Sequence, residues 1–116
     1  MQLTPEDLLI GASITFDVVI SPSVLHPGNN QLPINEPQPD LVVQLRPLTI
    51  GTFQLIMKAA RNDTALIPLL MIKESLVQPA MSLEQVKQLH LGLVIFLIQH
   101  IREISGLTEK KIQLVV

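Results

Sequence analysis

The chain has no cysteine, tryptophan or tyrosine, and only three phenylalanines among its 116 residues. Lack of cysteine excludes disulfides, thiolate nucleophiles and thiolate metal sites together. It suits a reducing compartment, and a cytoplasmic location is the expectation. With so few aromatics, a core must be built from Leu, Ile and Val with Met as filler, which favours helices packing on helices. Charge of one sign is also lacking: eight Lys and Arg against ten Asp and Glu give a net charge of -2. No basic stripe is present to neutralise a row of phosphates, so nucleic acid is not an expected partner.

Long apolar runs are missing too. The run from Leu89 to Ile98 is bracketed by Lys87, Gln88, Gln99 and His100 and interrupted by His90, whereas a membrane span needs about 20 apolar residues. No membrane span is expected. The opening "MQLTPEDLLIGAS" carries Glu6 and Asp7 and no positive charge, which is wrong for a secretory signal.

Catalytic signatures are absent from the sequence as well. There is no glycine-rich phosphate loop, no Gly-x-Ser-x-Gly elbow and no His-Glu-x-x-His, each of which needs its residues at fixed spacing to bring donors onto one ligand. His90 and His100 are ten apart, which on a helix puts them about 80° around the axis and about 15 Å along it, too far to share a metal. His26 in "LHPGNN" reads as a turn residue. Glu6 and Asp7 suit a helix start, Glu84 pairs with Lys87 or Gln88, and Glu103 follows Arg102 near an exposed end. No acid and base stand out as a pair, and neither enzyme activity nor a cofactor or metal is expected.

What is present is an α+β pattern, mainly helical. Thr4-Pro5-Glu6-Asp7 opens a short helix ending near Gly11: Thr caps, Pro fits the first helical position, and acids suit the positive end of the dipole. Residues 13–20, "SITFDVVI", and 40–48, "DLVVQLRPL", read as two strands, antiparallel as the simpler arrangement. Between them, 21–40 holds most of the nine prolines and the Asn29-Asn30 pair, so neither regular helix nor central strand is expected there. Its apolar insertions Val24, Leu25, Leu32 and Ile34 suggest an arm lying along a partner's surface, with a plain linker as the alternative.

From Thr49 the period turns helical. Ile50, Phe53, Ile56, Met57 and Ala60 fall on one face, with Gln54, Lys58 and Arg61 opposite. Asn62-Asp63-Thr64 breaks that helix and caps a second over 65–77, whose "ALIPLLMI" marks it as central and buried. Ser82 and Gln85 form a capping box for a third, longest helix over 83–105, closed by a left-handed Gly106. The tail "KKIQLVV" reads as a final strand or an apolar strip. As an organisation, 1–48 holds the first helix, strands and Pro-rich arm, 49–107 the helical unit and 108–116 the tail, in one domain overall.

The expected long helix is apolar on two faces. Leu83, Val86, His90, Leu93, Leu97, Ile101 and Ile104 make one seam at nearly heptad spacing. Leu91, Ile95 and Ile98 make a second patch about 120° away. A surface helix in a small bundle needs one apolar stripe, so the second requires cover from another element, a second copy or another protein. For His90, inside the seam, a neutral imidazole bonded to a backbone or side-chain partner is the simple expectation, and a pH-sensing contact the sharper one.

The block "LRPLTIGTFQLIMKAARND", followed by "LIPLLMIKESLVQPAMSLEQVKQLHLGLVIFLIQHIREISGL", resembles the small baseplate-hub assembly proteins of contractile phage tails and of phage-tail-like bacterial contractile injection systems. The resemblance spans 45–107 and rests on the "LRPLTIG" entry into a helix, the Pro-Ala-x-Ser boundary and the "ISGL" exit. It implies a non-enzymatic assembly factor, or a structural component carried in the particle, contacting hub, spike or tube-initiator proteins or another copy of itself. Leu91, Ile95, Ile98, Val24, Leu25, Leu32 and Ile34 are the expected contact residues on the pattern of apolar surface alone. The competing expectation is a small adaptor that holds an amphipathic helix in a Leu/Ile/Met groove.

Overall fold

The computed structural model describes residues 2–26, 28 and 41–107. The order of elements is α1 (Pro5–Ser13), β1 (Phe16–Val19), α2 (Pro22–Leu25), β2 (Val42–Leu45), α3 (Ile50–Ala59), α4 (Leu66–Ser75), β3 (Leu76–Gln78), α5 (Leu83–Val86) and α6 (Leu91–Ile104). The protein is α+β, with a core shared between α3–α6 and a three-stranded antiparallel sheet in the order β1-β2-β3.

Helix starts follow local chemistry. Thr4 Oγ1 accepts from the Asp7 amide while the Asp7 carboxylate accepts from the Thr4 amide at 2.9 Å, a closed capping box in front of Pro5. The Thr4 hydrogen bonds hold the Asp7 carboxyl below its usual range. Because the folded value is the lower one, this support for α1 is complete above the ordinary carboxylate range and lost as pH falls through the lowered value. Backbone chemical shifts for 5–13 should therefore move toward coil between pH 5 and 2, and a flat response would exclude the capping box as the cause. The α1 helix runs two residues past Gly11, so β1 is shorter than the apolar stretch suggests and Ile14-Thr15 form the joint.

In the sheet, Phe16 pairs with Leu45 and Val18 with Val43, placing Val18 and Leu45 in the core, while Asp17, Val19, Val42 and Gln44 face outward. The expected two strands are in fact three. Leu76 pairs with Leu45 and Gln78 with Gln44, which leaves Val77 as the extra residue of a bulge. The helix expected over 65–77 therefore stops at Ser75. Three residues are too few for a strand period to stand out in the sequence.

Ser75, fully buried, fastens this corner. Its Oγ donates to the Arg46 carbonyl at 2.6 Å, its own carbonyl accepts from the Arg46 amide at 2.9 Å, and Arg46 Nε donates to the Glu74 carbonyl at 3.0 Å. Ser75→Ala leaves the Arg46 carbonyl without a donor and should lower stability by about 1–3 kcal/mol. Chemical denaturation checks this, and an unchanged midpoint would show that water replaces the hydroxyl.

Two further expectations are corrected. Segment 21–40 does contain a helical turn, α2, because Pro22 sits at the first helical position, where its missing N–H costs nothing. The long helix over 83–105 is two helices. Ser82 and Gln85 start α5 with the expected reciprocal bonds, but the chain turns at 87–89, and His90 is extended at φ -69°, ψ 156° before α6 begins. His90 thus caps a helix instead of lying inside one. At the other end Gly106 has φ 82°, Leu107 N–H donates to Arg102 O at 2.7 Å and Gly106 N–H to Glu103 O at 3.1 Å, a Schellman close.

One cluster forms the core: Val18, Ile20 and Leu45 from the sheet meet Ile56, Ile72, Val86, Leu97 and Ile101 from the helices. Helix α4 lies at its centre, against α3, α5 and α6. The inward stripe of α3 is Phe53, Ile56 and Ala60, narrower than expected. Ile50 and Met57 lie on its flank, nearly a quarter-turn away, and are exposed.

Candidate protein interface

On α6, Leu93, Leu97 and Ile101 are buried and Ile104 packs against them. Leu91 and Ile95, one turn apart, are 72% and 50% exposed. Ile98 is separated from them: it is half-buried and packed on the core. Ile98 sits about 60° nearer the buried seam than Ile95, whereas Leu91, at nearly the same angle as Ile98, is open because it is the first residue of the helix. On the other flank of α6 the rings of Phe96 and His100 meet tilted, with centroids 4.5 Å apart, and His100 Nδ1 lies 4.0 Å from Glu103.

Val24 and Leu25 of α2 are half-buried against the chain's own core, with α2 resting on α6. Leu32 and Ile34 lie outside the described residues. The structure therefore brings Leu91 and Ile95 together as an open patch and turns Ile98, Val24 and Leu25 inward.

Other exposed apolar residues escape a reading by period alone. No residue of α1 is buried, and Leu8, Leu9 and Ile10 stand open along it. On α3, Leu55 is 68% exposed opposite the buried stripe. The signal for Leu55 is present in the sequence, since it lies about 100° from Ile56. For α1 no sequence signal shows that its apolar residues lack cover.

The outward sheet face carries a row of Asp17, Gln44 and Gln78 across the three strands. A shallow cleft of about 620 Å³ opens there, walled by Val42, Val77, Pro79 and Ala80. Its single carboxylate provides neither an acid–base pair nor a metal cage. The β1 pairing leaves Asp17 and Val19 presenting backbone groups to the free edge, and a charge on an edge strand discourages pairing with another chain. Among the described residues no cluster of three His, Asp or Glu is placed to hold a metal ion, and no helix is long and apolar enough to cross a membrane.

Among the described residues, the fold and these surfaces define a small α+β domain with exposed apolar residues on α1, α3 and α6. No family model, curated protein or solved structure matches the chain.

Proposed function

We propose that the protein is a non-enzymatic binding component, an assembly factor or structural part of a contractile-tail or injection-system baseplate hub. The observation that carries the binding role is the pair Leu91 and Ile95, open on α6 above a core that is already complete beneath them. Burying two such side chains against a partner is worth about 1.5–3 kcal/mol each. The placement in a baseplate hub rests on the likeness of "LRPLTIG", the Pro-Ala-x-Ser boundary and "ISGL" to that family. The partners are then hub, spike or tube-initiator proteins, met in the cytoplasm before the particle closes.

The test is the solution mass of the purified chain, alone and after co-expression with candidate hub, spike and tube-initiator proteins. A stable complex that depends on Leu91 and Ile95 is the expected result. A lone monomer that recruits none of them overturns the baseplate assignment and leaves an adaptor with another client.

A further inference from the structure

One imidazole joins two helices, α2 and α6. Leu93 N–H donates to His90 Nδ1 at 3.2 Å, which satisfies an amide of the first turn of α6. On the opposite side of the ring, Nε2 lies 3.3 Å from the Leu25 carbonyl at the end of α2. The carbonyl can only accept, so Nε2 must carry the proton, and Nδ1 must be bare to accept from Leu93. Both contacts exist together in one neutral tautomer and in no other state of the ring.

We propose that His90 is a proton-sensitive latch, closed when the imidazole is neutral and opened when it takes a second proton. A proton on Nδ1 sets two donors face to face at Leu93. It also brings positive charge to the N-terminus of α6, the end of a helix that repels it. The ring is rigid, so it cannot turn Nδ1 away from Leu93 while keeping Nε2 in its present line to Leu25. Uncapping α6 therefore also disturbs the seat of α2.

No compensating carboxylate stands in α2 or in the first turn of α6. The titratable and charged groups on the elements that meet here are His26 just after α2, Lys73 and Glu74 of α4, which pair with each other, Glu84 and Lys87 of the α5 turn, and the distant His100, Arg102 and Glu103. Glu84 and Lys87 lie 3.6 Å apart as a pair of their own. The latch is independent of the baseplate assignment, because it uses only contacts within the chain.

Amide hydrogen exchange on the full chain at pH 7.5 and 5.0, corrected for intrinsic rates, tests it. The expected result is an about tenfold loss of Leu93 protection at the lower pH, the size of a lost helix cap. Leu25 and His26 should lose protection with it while Ile101 keeps its own. His90→Asn retains a capping oxygen without a titrating group, so Leu93 should stay protected at both pH values. Leu93 protection that does not change with pH overturns the proposal. So does the same loss in His90→Asn, which would show that His90 is not its source. Should His90→Asn fail to fold, the ring ¹⁵N shifts of the unaltered chain at pH 7.5 decide: a proton on Nε2 supports the latch, and a proton on Nδ1 overturns it.

Discussion

The double variant Leu91→Asp/Ile95→Asp is expected to fold like the parent and to lose its partner. Leu91 is 72% and Ile95 50% exposed in the lone chain, so the change in unfolding free energy should stay within about 1 kcal/mol. In a complex the same positions would put two carboxylates into an apolar contact. That weakens binding by a hundredfold or more, on the order of 3 kcal/mol. Denaturation of the isolated variant and its co-purification with hub proteins read the two effects separately. Unfolding of the isolated variant would mean that the pair belongs to the core. Undiminished binding would move the interface to α1, α3 or the sheet face.

Ile98→Asp gives the contrasting result although it is only three residues from Ile95. Its side chain packs on the cluster around Leu97 and Ile101, so a carboxylate there must be desolvated or must pull the first turns of α6 off the core. A loss of about 2–4 kcal/mol is expected. That is a large share of the roughly 5–15 kcal/mol that holds a domain of this size together. Thermal or urea denaturation measures it. A stability equal to that of the parent would return Ile98 to the open face and enlarge the proposed interface.

How far the sequence foretells these positions depends on whether the determining interaction is local. Thr4 with Asp7, Ser82 with Gln85, Thr49 and Gly106 each act within three or four residues, and all four ends fall where their chemistry places them. The antiparallel pairing of β1 with β2 was equally accessible, because alternation sorts Val18 and Leu45 from Asp17 and Gln44. The third strand was not, since Leu76 and Gln78 become a strand only through partners on β2 far away in the chain.

The break at His90 has the same origin. The apolar period runs through it without interruption, and what distinguishes it is a side-chain bond to Leu93 combined with a contact to Leu25. The candidate interface was half legible. The period separates a second face on α6, but which of its residues is covered depends on how α6 rotates against the core. That rotation leaves Ile95 open and takes Ile98 inside, while Leu91 stays open at the start of the helix.

The antiparallel pair β1–β2 is registered by its own ladder, from Phe16 opposite Leu45 to Val19 opposite Val42, and not by a tight turn. The cross-strand pairs therefore decide which side chains face the core, and a slip of one residue in β1 would turn Val18 outward and bring Asp17 in.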